Sequence, residues 1–331
     1  MMISREIRLA SRPTGEPVPD NFELTEVEVP QPGKGQILVR NTWMSVDPYM
    51  RGRMDDAESY MPPFQIGAPL EGSAVGEVIA SGDPGIPVGA KVTHFLGWRE
   101  HVVLNVSDAV VIDTGLARPE DYLGALGTTG LTAYLAVTDI APVKEGDVVF
   151  VSGAAGAVGS VAGQLARKLG AAKVIGSAGG PEKAKKLVED FGFDAAIDYR
   201  TGDLPAQLAE HAPEGIDVYV DNVGGDHLEA AIETLNVHGR VALVGMISEY
   251  NAPVPGPRNL YSAVTKRLTL RGVLVTDHLD RFPEYIGKAA GWLADGTLHT
   301  EETVVEGLEN APAAFLGVLR GANTGKMLVR L

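Results

Sequence analysis

The sequence predicts an α/β protein in which a doubly wound parallel sheet follows a β-rich unit. Three observations point to this. From about Leu126 to about Leu298, short apolar runs alternate with helical segments, the pattern of a parallel sheet covered on both faces. Up to about residue 125 the apolar runs are separated by Pro and Gly turns, with spacing close to that of an all-β unit. The first strand of the alternating region runs into a glycine-rich turn, Ser152–Ser160, that opens a helix. A chain of 331 residues is long enough for about two domains.

In the β-rich part, Pro30, Pro32, Gly33 and Gly35 mark a turn before the strand Gln36–Arg40. Strands then follow at Ala74–Ile79, Lys91–Phe95 and His101–Leu104. In the alternating part, Asp147–Ser152 reads as a buried strand, Val158–Leu169 as a helix, Lys173–Ser177 as a strand and Glu182–Phe191 as a helix. Further strands are expected at Ala195–Tyr199, Val218–Asp221, Arg240–Val244 and Leu268–Val275. The tail carries a helix around Ala311–Arg320 and a last strand, Lys326–Arg330.

Composition narrows the function classes. A 45% hydrophobic and 21% charged chain is globular and not disordered. A net charge of −15 repels phosphate backbones, which argues against nucleic-acid partners. The sequence has no cysteine, so disulfides, thiolate nucleophiles and Cys-ligated zinc are excluded. That fits a reducing compartment such as the cytoplasm. Met1–Glu6 is too polar for a signal peptide. The uncharged stretch Val148–Ala166 is long enough to span a membrane, but its glycines and serines fit a strand, a turn and a helix better, so no membrane partner is expected.

The turn itself reads Ser152-Gly153-Ala154-Ala155-Gly156-Ala157-Val158-Gly159-Ser160. Ala154, Gly156 and Gly159 occupy the Gly-x-Gly-x-x-Gly positions of a Rossmann turn. Small residues there allow a tight bend, close backbone approach to a pyrophosphate and tight helix–strand packing. The helix that follows offers free N–H groups to phosphates. At the end of the second strand, an NAD site usually carries Asp or Glu for the ribose 2′-hydroxyl. Here the tip is Ile175-Gly176-Ser177-Ala178-Gly179-Gly180, with Lys183 just beyond. Small residues and a cation suit a 2′-phosphate, so the expected cofactor is NADP(H); the competing reading of Lys183 is a solvated surface lysine. Asn222, in Asp221–Gly225, and the segment Val244-Gly245-Met246-Ile247-Ser248 also lie at carboxyl ends of parallel strands, where such sheets bind ligands.

Several motifs resemble the medium-chain dehydrogenase/reductase superfamily, in its zinc-free branch of NADPH-dependent alkenal and prostaglandin reductases, with bacterial curcumin-reductase-like members the most similar. The motifs are Met44–Met54, Ala154–Ser160, Asp221–Gly225, Gly245–Asn251 and Gly307–Pro312. The resemblance implies a GroES-like β-barrel domain formed by residues 1–126 and 299–331, with a Rossmann domain at 127–298 between them. It implies that Gly156–Gly159 hold the pyrophosphate and that Lys183 and Tyr199 hold the 2′-phosphate end. It further implies that Asn222, Val244–Tyr250, Val273, Leu274, Val275 and Asn323 line the rest of the cofactor. A homodimer through the edges of the Rossmann sheets is implied too, with Leu268–Val275 as the edge. Leu70, in Pro69-Leu70-Glu71-Gly72, stands where zinc-dependent relatives carry a ligand histidine.

Without a metal, reduction of an activated C=C bond is the less demanding reaction. Hydride adds to the β-carbon of an enone, and charge collects on the carbonyl oxygen, where one or two hydrogen-bond donors suffice. A tyrosine hydroxyl is a neutral donor at pH 7. Tyr49 is the first candidate, with Tyr60 and Tyr250 next; the competing reading is that each only packs a pocket wall. Some eukaryotic relatives carry a tyrosine just ahead of the pair that reads Lys266-Arg267 here; this chain has Thr265, with Tyr261 one turn earlier. Arg51 and Arg53 suit either cofactor phosphates or a substrate carboxylate, or paired surface or interdomain salt bridges. The expectation is an NADPH-dependent, zinc-independent reductase of α,β-unsaturated aldehydes or ketones. The alternatives are an NADPH quinone reductase and a non-catalytic NADPH-binding sensor.

Overall fold

The structure, a computed structural model, describes residues 2–331. Its first two strands are ones the apolar pattern hides. β1 (Met2–Leu9) and β2 (Phe22–Val29) form an antiparallel ladder from Met2↔Val29 to Leu9↔Phe22. β1 buries Ser4 and Glu6 along with Ile7 and Leu9, so its inward side does not alternate cleanly. The Ser4 hydroxyl accepts from the His101 N–H at 3.0 Å, and Glu6 pairs with Arg8 at 2.8 Å, which compensates those polar groups.

β3 (Gln36–Ser45) is the hub of a seven-stranded sheet. It pairs antiparallel with β4 (Ala74–Ser81) and β6 (His101–Asn105). β4 pairs with β5 (Lys91–His94), and β5 with β7 (Val110–Val111). A one-turn helix, α1 (Met50–Arg53), follows β3. It buries Met50 in a core with Met44, Met54, Trp98 and Phe315.

The chain then alternates. α2 (Thr128–Leu135) leads to β8 (Val148–Val151), α3 (Ala157–Lys168), β9 (Lys173–Ala178), α4 (Pro181–Glu189) and β10 (Ala195–Asp198). α5 (Leu204–His211), β11 (Ile216–Asp221), α6 (Gly225–Thr234) and β12 (Leu235–Leu243) follow. α7 (Tyr261–Thr265), β13 (Thr269–Gly272) and α8 (Phe282–Ala294) complete the region. All strand pairs of this sheet are parallel, in the order β10-β9-β8-β11-β12-β13. This is a Rossmann sheet, and its order reverses between β8 and β11, the place where such sheets bind ligands.

The strand expected over Leu268–Val275 is shorter than its apolar run. It spans Thr269–Gly272, and Val275 already begins a 3-10 turn. As the last strand of the sheet, β13 leaves Thr269, Arg271 and Gly272 exposed. The tail supplies β14 (Glu302–Glu306), α9 (Ala311–Leu319) and β15 (Lys326–Arg330), and β15 pairs antiparallel with β3.

Two compact units result. One contains the chain up to Leu123, Glu302–Asn323 and Met327–Leu331; the other contains Gly124–Glu301 and Thr324–Lys326. Among the described residues no helix is long and apolar enough to cross a membrane. The uncharged run Val148–Ala166 is divided into β8, the turn and α3.

Candidate active site

In the second unit, β8 delivers the chain into the glycine turn. Gly153 takes a φ of 57°, and the Ala154 N–H donates to the Ser177 carbonyl at 2.9 Å, tying the turn to β9. Gly156 caps α3, and no side chain makes a capping hydrogen bond at that end. The N–H groups of Ala157, Val158 and Gly159, which a helix leaves without internal acceptors, are therefore available to a phosphate. A Cβ on Gly159 would lie 2.5 Å from the Gly153 carbonyl oxygen and 2.7 Å from the Ala154 Cα, so only glycine lets α3 start this close to the turn. Ala155 is buried, and its carbonyl accepts from the Gly325 N–H at 2.7 Å.

The tip of β9 lies over a cationic cluster. A Cβ on Gly179 would meet the Tyr199 hydroxyl at 2.7 Å and Arg200 Nε at 2.9 Å, and one on Gly180 would stand 3.9 Å from Arg200 Nη1. Arg200 makes no ion pair among the described residues. Burial, and then the charge of Arg200, hold the Lys183 ammonium below the usual lysine range. Asp198 is the carboxylate nearby, but one of its oxygens accepts from the Gly180 N–H at 2.8 Å and the Arg200 N–H at 3.0 Å. It thus ties the Gly180 loop to the start of the Arg200 turn. Ser177 is fully buried, so the accessible part of the tip is Gly179–Gly180. The Tyr199 ring stands edge-on to His227, with centroids 5.2 Å apart.

At the switch point, a buried network holds the two central loops. Asp221 Oδ1 accepts from the Tyr219 hydroxyl at 2.7 Å, the Ser152 hydroxyl at 3.2 Å, and the N–H groups of Val223 and Gly224 at 3.0 and 2.9 Å. Burial pushes the Asp221 carboxyl up, and these donors pull it back. Asn222 donates from Nδ2 to the Ser152 carbonyl at 2.8 Å. The N–H groups of Val244 and Gly245 donate to the Asp221 carbonyl, and that of Ser248 to the Val223 carbonyl.

A groove of about 450 Å³ opens along the ends of β12 and β13, bounded by Val244, Gly245, Met246, Val273, Leu274 and Asp277. Ile247 begins a 3-10 turn that leads to Tyr250, whose hydroxyl would stand 3.3 Å from a Cβ on Gly245. Burial raises the Tyr250 phenol. The expected cofactor-facing segments of this unit thus gather at the carboxyl ends of its strands.

Tyr49, Tyr60 and Asn323 belong to the first unit. Tyr49 precedes α1, and its hydroxyl is buried without a hydrogen-bond partner. Burial raises its phenol well above the ordinary tyrosine value; Asp47 adds to this and Arg53 opposes it. Tyr60 lies in a loop and is 54% exposed. Asn323 closes the Glu302–Asn323 segment. Arg51 and Arg53 are buried and engaged internally: Arg51 with Asp55 at 2.9 Å and the Gly15 carbonyl at 2.9 Å, Arg53 with Glu71 at 2.8 Å. Leu70 is fully buried in the core. Tyr261 is 77% exposed on α7. No group of three or more His, Cys, Asp or Glu side chains able to hold a metal occurs among the described residues.

Sequence reading missed Arg200, Asp198, His227 and the Ser152–Tyr219–Asp221 network. Arg200 carried a usable signal, a cation directly after a predicted strand. The network had none, because Ser152 meets Tyr219 and Asp221 only through the packing of β8 beside β11.

Residues 5–112 match the model of an N-terminal domain of oxidoreductases, and residues 157–291 that of zinc-binding dehydrogenases. The chain is 40% identical to an NADPH-dependent curcumin reductase of Escherichia coli over 98% of its length and 95% of the relative's. It is 38% identical to an NADP-dependent 2-alkenal reductase of Nicotiana tabacum, covering 98% of this chain and 97% of the relative. The solved structure of CurA from Vibrio vulnificus in complex with NADPH superimposes with a TM-score of 0.93 at 40% identity, covering 98% of both chains.

Proposed function

The chain belongs to the medium-chain dehydrogenase/reductase superfamily, and from that membership we propose that it is an NADPH-dependent reductase of C=C bonds conjugated to an aldehyde or ketone. The observation that carries the reading is an uncapped glycine turn beside a strand tip, Gly179–Gly180, that carries no acid of its own and lies next to Arg200 and Lys183. That arrangement fits NADPH and disfavours NADH. The uncapped start of α3 at Ala157–Gly159 would hold the pyrophosphate. Gly179, Lys183, Tyr199 and Arg200 would hold the 2′-phosphate. Asn222, Val244–Ser248, Val273–Val275 and Asn323 would line the remainder.

Bound NADPH supplies the hydride. The protein's own task is at the substrate carbonyl. Tyr49, a buried donor without a protein acceptor, gives a hydrogen bond to the carbonyl oxygen as charge collects there, and its raised phenol keeps it protonated at pH 7. Tyr60 and Tyr250 are the further candidates for this donor role. The absence of cysteine from the sequence and Leu70 at the ligand-histidine position support a metal-independent reaction, although the matching model is described as zinc-binding. The exposed edge of β13 supports a homodimer formed by sheet pairing, and the cysteine-free sequence a cytoplasmic location.

The test is NADPH oxidation with 2-alkenals and aryl enones, with product analysis. Saturated aldehyde or ketone is expected, with NADH at least tenfold poorer. Tight NADPH binding without turnover on any enone overturns the reading in favour of a sensor, and turnover confined to benzoquinone in favour of a quinone reductase.

A further inference from the structure

The first unit contains a second arrangement around Tyr49. The loop from Asp55 to Pro63 has no regular structure, exposes Asp56–Tyr60 and carries Tyr60 at its tip. Its two ends are held by arginines. At the front, Arg12 donates to the Met54 carbonyl at 2.8 Å and pairs with Asp56 at 3.3 Å, and Arg51 pairs with Asp55 at 2.9 Å. At the rear, Arg53 makes the connection to α1. Its Nε donates to the Pro62 carbonyl at 2.9 Å, its Nη2 to Glu71 at 2.8 Å, and its guanidinium lies 4.0 Å over the Phe64 ring. The Phe64 N–H in turn donates to the Arg53 carbonyl at 2.7 Å.

Arg53 is 5% exposed, and its Nη1 has no partner. A buried guanidinium with an unsatisfied donor is costly, so packing alone is a poor reason to keep one here. Tyr49 and Arg53 lie four residues apart across α1, one helical turn, which brings their side chains to the same face. One cation therefore links the helix that carries Tyr49 to the loop that carries Tyr60.

We propose that Arg53 is a positioning residue that sets the gap between Tyr49 and Tyr60, and so selects extended enones that reach from one phenol to the other. The inference rests on the reading of Tyr49 as the donor to the substrate carbonyl. A short alkenal needs Tyr49 alone. A diaryl enone spans both rings and depends on the loop being fixed, and a displacement of about 1 Å there costs on the order of tenfold to a hundredfold.

The experiment compares Arg53→Met, Arg53→Lys and Glu71→Gln with the unaltered protein, using trans-2-hexenal, a diphenyl enone and NADPH titration. For Arg53→Met, kcat/KM on the diphenyl enone is expected to fall at least tenfold, mainly through KM. The value on hexenal stays within threefold, and NADPH affinity is unchanged. Arg53→Lys recovers part of the loss, because an ammonium can keep one of the two bonds. Glu71, with a side chain 39% exposed, can be altered without emptying the core, so Glu71→Gln shifts the same ratio two- to fivefold even where Arg53→Met does not fold. Equal losses on both substrates, or an unchanged ratio in Glu71→Gln and Arg53→Lys, overturn the proposal. Failure of Tyr49→Phe to slow either substrate overturns the reading of Tyr49 instead, so the two failures are distinct.

Discussion

The glycine turn proposed to hold the pyrophosphate in the second unit is made of backbone, whereas the Tyr49 surface of the first unit is made of side chains. At the glycine turn, N–H groups of α3 and the close approach of Gly159 to Gly153 do the positioning. Around Tyr49, the geometry depends on arginines that reach Gly15, Asp55, Pro62 and Glu71. A backbone site is hard to alter without breaking the fold, and it suits a cofactor that never changes. A side-chain site can be retuned by single substitutions, and it suits substrates that vary.

That contrast can be broken most forcefully at Gly159. A valine there places carbon against two backbone atoms that cannot yield, at a cost of about 3 kcal/mol or more. We expect Gly159→Val to lose NADPH binding at least a hundredfold and to melt at lower temperature, as read by fluorescence titration and calorimetry. Normal binding by this variant would mean that backbone contact does not define the turn.

Each unit also holds one buried neutral histidine, which allows their acid stability to be compared. Burial lowers His94 and His227 to about 4. Unfolded histidines titrate near 6.5, so between about pH 6.5 and 4 the unfolded chain binds more protons. The stabilisation is complete above 6.5 and is lost as pH falls toward 4, by up to about 3 kcal/mol for each histidine. Melting temperature should drop across that window, and His227→Phe should remove the second unit's share. A melt independent of pH over this range contradicts the burial argument.

On the side-chain surface, Tyr49→Phe is expected to lower kcat on enones about a hundredfold, the scale of losing one oxyanion donor, with NADPH affinity within twofold. Stopped-flow hydride transfer separates this from product release. The smallest effect is expected at Arg200, where the backbone site relies on a side chain. Arg200→Ala should raise the KM for NADPH about tenfold, consistent with one charge-assisted contact, and leave NADH unaffected. Equal changes with both cofactors would place Arg200 away from the 2′-phosphate.

The legibility of the two regions differs for the same reason. Ala154, Gly156 and Gly159 are close in sequence because they act within one turn, and the missing acid at the tip of β9 could be read from six consecutive residues. Arg200 sits next to Tyr199 in sequence, yet only the packing of β10 beside β9 brings it to Gly179. β1 and β2 were invisible to an apolar pattern, because charged and polar residues interrupt the buried ones, and a local pair, Arg8–Glu6, and a distant one, Arg5–Glu100, make them tolerable.

The sequence by itself determined the α/β class, the parallel sheet, the nucleotide turn and the preference for NADP, because each follows from local periodicity or from the size and charge of neighbouring residues. Tertiary structure decided that β13 ends at Gly272, that Ser152, Tyr219 and Asp221 form one network, and that Arg53 holds the Tyr60 loop. Those features depend on which strands lie at an edge and on which distant side chains meet in the folded chain, and no local pattern encodes such meetings.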